Sequence, residues 1–284
     1  MWYTDNNEGR ESATFFVLAV LAKIKTKMKN YCPKTLFAIF VAFIVLAAFF
    51  IFSDQSLAAE IIDSDNDGLS DQDEINLFKT DPNNPDTDGD GYNDYTEIYN
   101  GYSPRQAEPV KLSSLDSDND GAPDSWEIRL GLDLLNPDTD SDGYNDGLEI
   151  ASDYDPKVAE AKKLAKEIKV DLKTQTLAYY FNNIELENFL ISSGVKAMPT
   201  PTGEFSVLDK VPSKNYGGTG FNFTYPNTKW NLHFTTGTWR YYIHGAYWHN
   251  KFGRPMSHGC INVPYPQMER LYGFASVGTK VEIS

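Results

Sequence analysis

One twelve-residue pattern occurs four times between Asp63 and Glu149, and it constrains this chain more than any other feature. The copies are Asp63–Glu74 (DSDNDGLSDQDE), Asp86–Glu97 (DTDGDGYNDYTE), Asp116–Glu127 (DSDNDGAPDSWE) and Asp138–Glu149 (DTDSDGYNDGLE). Each has Asp at positions 1, 3, 5 and 9, Gly at 6 and Glu at 12. The carboxylates are Asp63, Asp65, Asp67, Asp71 and Glu74; Asp86, Asp88, Asp90, Asp94 and Glu97; Asp116, Asp118, Asp120, Asp124 and Glu127; and Asp138, Asp140, Asp142, Asp146 and Glu149. They are half of the 40 acidic residues, and without them the formal net charge of −15 becomes +5. Carboxylates packed this densely repel one another unless a cation sits among them. The region is therefore expected to be loose when empty and compact when loaded.

The spacing is that of the EF-hand calcium loop, in which a hard ion takes about six to eight oxygens. Gly68, Gly91, Gly121 and Gly143 permit the sharp turn, position 7 offers a carbonyl, and the final Glu closes the sphere. The plainer reading of a single copy is a solvated acidic linker; four complete copies weigh against it. Loops starting at 63, 86, 116 and 138 leave 10 to 18 residues between them. That is too few for two full helices in most intervals, and Thr80-Asp81-Pro82-Asn83-Asn84-Pro85 and Leu135-Asn136-Pro137 break helices. Short helices are expected to begin near each position 9 and run past Glu-Ile. The array resembles bacterial thrombospondin type 3 repeats, including the Asn-Pro-Asp-Thr-Asp lead-in at 84–88 and 136–140. That resemblance implies structural Ca²⁺ and a calcium-stiffened spacer over 60–155.

The N-terminal region supplies the compartment. Leu36–Phe52 is an unbroken apolar run of 17 residues, near the lower limit for a membrane span and slightly long for a signal-peptide core. Lys23, Lys25, Lys27, Lys29 and Lys34 precede it, so residues 1–35 are expected in the cytoplasm and the rest outside, in the cell envelope. The helix over 36–53 has two readings. It is a single-pass membrane anchor, or it is a signal peptide cut at Ser56-Leu57-Ala58. A chain starting at Met28 reads as an ordinary signal peptide, so 1–27 is expected to be a mis-assigned start.

Asp155-Pro156-Lys157 followed by VAEAKKLAKEIK reads as a helical linker over 156–167, with Asp as N-cap and Pro in the first turn. From Ile168 the pattern changes to short alternating strands: IKVDL, TLAYYF, ELENFLISS, EFSVLD and a C-terminal VGTKVEIS, with Asn182-Asn183 and Thr202-Gly203 as turns. The 168–284 region carries 11 Lys/Arg against 7 Asp/Glu, which suits an anionic polymer. Basic patches of the nucleic-acid-binding kind are absent, and no nucleic acid partner is expected.

Two cysteines occur, Cys32 before the apolar run and Cys260. Cys260 has no disulfide partner beyond the membrane and stands in Met256-Ser257-His258-Gly259-Cys260-Ile261-Asn262, with Ile243-His244-Gly245 upstream. A thiol after Gly and near two histidines reads as a nucleophile. These two motifs, with Pro199-Thr200-Pro201-Thr202-Gly203-Glu204-Phe205 ahead and Leu271-Tyr272 … Val277–Ile283 behind, resemble the signature of YkuD-type L,D-transpeptidases. The resemblance covers about 168–284. It implies a multidomain chain, mainly β, with an L,D-transpeptidase-type β-sandwich.

It further implies Cys260 as nucleophile and His244 as general acid/base, with no catalytic cofactor. A backbone N–H at Gly259 or Cys260 serves the oxyanion, and Ser257 and His258 orient the site. Asn262, which stands where many members carry arginine, and Gly245 bind substrate. The implied substrates are peptidoglycan stem peptides. Attack falls on the amide between a third-position diamino acid and D-Ala; D-Ala leaves, a thioester forms, and an amine from another stem resolves it into a cross-link. Two other readings remain: an L,D-carboxypeptidase, in which water resolves the thioester, and a calcium-dependent cell-wall binding or structural protein with an idle domain. His233 and His249 lack a motif position and read as surface or groove residues. Tyr241, Tyr242, Tyr247 and Trp248 read as sheet packing that also serves a groove.

Overall fold

The structure, a computed structural model, describes residues 61–217 and 224–284. The membrane or signal helix at 36–53, the cleavage site before Ala59 and the start at Met28 lie outside these residues. Among the described residues no helix is long and apolar enough to cross a membrane.

The acidic loops fold in two pairs. A short helix starts at position 9 of every loop: Asp71–Asp73 (α1), Asp94–Asn100 (α2), Asp124–Leu130 (α3) and Asp146–Ala151 (α4). Within a pair, position 5 of the leading loop reaches the trailing helix. Asp67 Oδ2 accepts from the Tyr95 N–H (3.0 Å), and Asp120 Oδ2 from the Gly147 N–H (2.7 Å). A β-bridge then closes each pair, Tyr102 to Lys111 and Tyr154 to Lys163, with the lysine ammonium 5.2 Å from the tyrosine ring centre in both. The two pairs are copies of one module, with Tyr-x-Pro-Arg-x-Ala-Glu-x-x-Lys at 102–111 matching Tyr-x-Pro-Lys-x-Ala-Glu-x-x-Lys at 154–163. The first module has one residue more between its loops. A π-helical turn, Glu74–Phe78, absorbs it, so the bond Thr80 N–H to Glu74 O (3.1 Å) replaces Leu132 N–H to Glu127 O (2.9 Å).

The helical linker expected at 156–167 is not formed. Its residues are the closing segment of the second module. The Asp155 N–H donates to Lys162 O (2.9 Å), and the Asp155 carboxylate takes the Lys162 ammonium (2.7 Å) and the Lys157 N–H (3.3 Å). The chain doubles back, and Lys166 already belongs to a strand. A dozen residues make a marginal helix alone, and aspartate competes for backbone N–H groups, so pairing wins.

Two β-sheets follow. One has the order β3-β2-β1-β9-β4, from Ile184–Leu190, Thr176–Phe181, Lys166–Asp171, Lys280–Ile283 and Gly203–Ser206. The other has β5 (Asp209–Gly217), β6 (Thr224–His233), β7 (Tyr242–Gly245) and β8 (Ile261–Val263) in sequence order, and helix α5 (Tyr265–Phe274) follows β8. In β1 the alternation buries Ile168 and Val170 and turns out Glu167, which pairs with Lys280 (3.0 Å). Asn182 and Asn183, both with positive φ (48° and 66°), make the two-residue β2–β3 hairpin. Both sheets, α5 and the second loop module share one core, in which Trp126, Ile150, Ile168, Tyr179, Ile243, Ile261, Phe274 and Val281 are buried.

Candidate active site and cation sites

The strand register brings the two key side chains together. β7 and β8 run parallel with Ile243 opposite Ile261 and His244 opposite Asn262. Cys260, one step before β8, therefore lies across from Tyr242, and Tyr242 and His244 share a strand face. Cys260 and His244 line one small cavity of about 90 Å³ together with Tyr216, Tyr225, Trp248, Met256, Ser257, His258 and Asn262.

The loop before Cys260 is fixed by glycine. Gly259 has φ +112°, and a Cβ there would sit 2.2 Å from the Tyr241 ring. Gly194 lies against it, and its own Cβ would meet the Met198 carbonyl at 2.3 Å and Gly259 Cα at 2.9 Å. Thr200, from the PTPTGEF segment, takes the Gly194 N–H (2.8 Å). That motif therefore buttresses the nucleophile loop from behind. Ser257 is buried and ties the loop internally: its hydroxyl donates to Cys260 O and accepts the Gly259 N–H (3.2 Å). Gly259 thus has its N–H committed and is a poor oxyanion donor. The Cys260 N–H has no partner among the described residues.

Gly245 does not line the cavity. It is a buried strand residue whose missing Cβ makes room for Tyr265, whose ring carbons would lie 2.5 Å away. Its carbonyl holds His244 Nδ1 at 3.0 Å. A carbonyl only accepts, so Nδ1 carries the proton and the lone pair is on Nε2. Tyr216 stacks on the imidazole at 4.4 Å and sends its hydroxyl to Asn231 Oδ1 (2.8 Å). Asn262 lines the cavity, but its side-chain amide is paired with His249 Nε2 (3.1 Å). His258 is exposed at the rim. His233, expected at the surface or in a groove, is buried and held by Arg240 (3.1 and 3.3 Å).

Burial lowers His244 to about 4, with the Gly245 carbonyl partly opposing, and burial pushes the Cys260 thiol up to about 11. A backbone contact from Tyr242 and the charge of Lys214 moderate the thiol's rise. At rest the pair is neutral, so the imidazole does not hold Cys260 as thiolate. It is instead a free base, ready to take the proton as the thiol attacks. Lys214 and Tyr216, both on β5, carry no motif that would mark them in the sequence.

In each acidic loop the oxygens of positions 1, 3 and 5 lie within 4.8 Å of one another. Two oxygens at about 2.4 Å from a calcium ion are separated by no more than about 4.8 Å. Buried carboxylate oxygens without a partner recur at position 3 (Asp65, Asp88, Asp118, Asp140) and position 12 (Glu74, Glu97, Glu127, Glu149). The position-12 glutamates are 0, 6, 0 and 7 % exposed. Burial and the surrounding aspartates push Glu74, Glu97 and Glu149 up to about 7 and Glu127 to about 9. Orphaned, buried, mutually repelling oxygens are what a divalent cation relieves, so positions 1, 3, 5 and 12 fit calcium.

Position 9 behaves differently from the sequence expectation. Asp71, Asp94, Asp124 and Asp146 each accept both the N–H and the hydroxyl of position 2 (Ser64, Thr87, Ser117, Thr139). They clamp the loop shut and lie outside the ligand clusters.

Residues 165–283 match the family of L,D-transpeptidase catalytic domains called YkuD, and 63–85, 86–101, 116–131 and 138–152 match the bacterial TSP3 repeat. Comparison with curated proteins finds no match. Among solved structures, the chain is similar to an L,D-transpeptidase from Mycobacterium smegmatis, at 24% identity and TM-score 0.40, covering 43% of this chain and 59% of that one. It is similar to one from Mycobacterium tuberculosis at 23% identity and TM-score 0.39, covering 43% and 58%. The catalytic domain of the Enterococcus faecium L,D-transpeptidase is 31% identical with TM-score 0.37, covering 42% of this chain and 96% of that domain. The chain spans less than two thirds of the two mycobacterial proteins. Residues 165–283 are thus matched as a YkuD-type L,D-transpeptidase catalytic domain, with bacterial TSP3 repeats matched ahead of it.

Proposed function

We propose that this chain is a cell-envelope L,D-transpeptidase that cross-links peptidoglycan stem peptides through a Cys260 thioester. The observation that carries this is that Cys260 and His244 line one cavity, with His244 Nδ1 fixed on the Gly245 carbonyl and Nε2 left free to take a proton. As Sγ bonds to the donor carbonyl carbon, its proton passes to His244 Nε2. The tetrahedral oxyanion is served by the Cys260 N–H, which Ser257 leaves unengaged. The carbon–nitrogen bond breaks, and D-Ala leaves with the proton from His244. An acceptor amine then attacks the thioester and gives its proton to His244, which returns it to the departing sulfur. Gly259 shapes the loop, and Asn262, held by His249, lines the cavity. The loops hold structural calcium, and an N-terminal anchor or signal places the enzyme outside the cytoplasm.

Mass spectrometry of digested peptidoglycan tests this. Links between two third-position residues should vanish in Cys260→Ala. Shortened stems without such links identify a carboxypeptidase, and no Cys260-dependent change sinks both readings. The resting state has its own test. Iodoacetamide labelling of Cys260 should keep accelerating with pH toward about 11. A plateau reached by neutral pH would instead reveal a resting thiolate–imidazolium pair.

A further inference from the structure

The second loop module is built into the catalytic domain. Trp126, at position 11 of its leading loop, is 5 % exposed and meets Tyr179 and Phe274 edge-on, both at 5.9 Å. Tyr179 lies on β2 and Phe274 ends α5, the helix that follows β8, the strand next to Cys260. Ala122, Leu132 and Ile150 enter the same core. Polar ties surround the contact: the Arg129 guanidinium donates to Glu185 O (3.3 Å), and the buried Lys166 ammonium bonds Ala151 O (3.0 Å), Phe274 O (2.6 Å) and Asp153 (2.9 Å).

The next residue after Trp126 is Glu127, the closing carboxylate of the Asp116–Glu127 loop. It is fully buried, and neither of its oxygens has a partner. The same helical turn thus holds the neediest cation ligand and the aromatic wedge in the enzyme's core. The corresponding turn of the first module has exposed Asp73 in place of Trp126.

We infer that cation occupancy of the Asp116–Glu127 and Asp138–Glu149 loops sets the folding stability of the transpeptidase domain, so that the second module is a co-folding part of the enzyme and not a detachable spacer. This rests on the calcium reading of the loops but not on the proposed reaction. A ligand that binds only the folded state shifts the unfolding equilibrium by about 100-fold when its free concentration is 100 times its dissociation constant. Because the module and the domain share a core, that shift is felt in β2 and α5 as well as in the loops.

Amide hydrogen exchange on the full chain, in calcium and in chelator, tests the coupling without reference to activity. Chelation should accelerate exchange at Thr176–Phe181 and Tyr265–Phe274 by about 100-fold for each site emptied from that calcium level. Glu127→Gln should reproduce much of that loss in calcium. Glu74→Gln, in the first module, should loosen the loops at 63–101 and leave β2 and α5 protected. The inference fails if the loops respond to calcium while β2 and α5 do not, or if Glu74→Gln and Glu127→Gln affect β2 equally. It also fails if the loops themselves ignore calcium, which removes its premise and leaves the proposed reaction standing. Should Glu127→Gln not fold, the chelator series on the unaltered chain decides between these outcomes by itself.

Discussion

At position 11 of its leading loop the first module carries Asp73, turned to solvent, and the second carries Trp126, buried against Tyr179 and Phe274. The contrast repeats where α2 and α4 end. Gly101 takes the left-handed turn in the first module at φ +78°, and Asp153 takes it in the second at φ +70°. A non-glycine residue there is strained. Asp153 is tolerated because its carboxylate receives the Lys166 ammonium and the Ser276 hydroxyl (2.7 Å). At position 11 the duplicated unit thus faces solvent in one copy and the catalytic-domain core in the other. The loops are shared; the outward residues decide which neighbour each copy keeps.

The largest expected break in this contrast comes from Trp126→Ala, which should cost about 3–5 kcal/mol in a denaturant melt of the 61–284 unit. Asp73→Ala at the matching position should stay within about 0.5 kcal/mol. Equal effects would show that the two modules are not distinguished by their packing.

Asp153→Asn comes next, at about 1–3 kcal/mol near neutral pH, because it weakens charge-assisted bonds to Lys166. Burial would raise the Asp153 carboxyl, but Lys166 and Ser276 outweigh it and hold the group below its ordinary value. The unfolded chain therefore binds that proton more readily. The stabilisation is present above the ordinary carboxylate pKa and is lost as pH falls through the depressed one. The gap between Asp153→Asn and the parent should narrow as melts are taken below about pH 4. A gap that widens in acid would reverse the assignment.

The smallest effect is expected at the seam between the modules, where Lys79 meets Asp133 at 2.9 Å, partly exposed. Lys79→Met should change stability by about 0–1 kcal/mol, and less in high salt.

Much of this was readable in the sequence. The loops, the helices starting at each position 9, the strands β1–β4 and β9, and the Cys260 and His244 motifs all stand as residue patterns. β5–β8 did not stand out. β5 contains Pro212 and lies at a sheet edge, where proline is tolerated and alternation is weak, and β7 and β8 are four and three residues long. The module duplication was present in Tyr102–Lys111 and Tyr154–Lys163, but the Ala- and Lys-rich second copy also has helical composition. Only folding shows that Ser257 captures the Gly259 N–H, that Gly245 is a packing glycine, or that Trp126 belongs to the enzyme core. The last two depend on residues distant in sequence, Tyr265 for Gly245 and Tyr179 with Phe274 for Trp126.

The clamp between positions 2 and 9 has a consequence for ion choice. Each loop is laced shut by hydrogen bonds of its own, so its remaining oxygens keep a set spacing. Magnesium demands about 2.1 Å contacts in a near-octahedral shell and gives up water reluctantly, whereas calcium accepts longer, irregular contacts. Lacing of this kind resists contraction around the smaller ion. On the calcium reading, the serine or threonine at position 2 is therefore a size gauge, letting the array answer to calcium against a magnesium background.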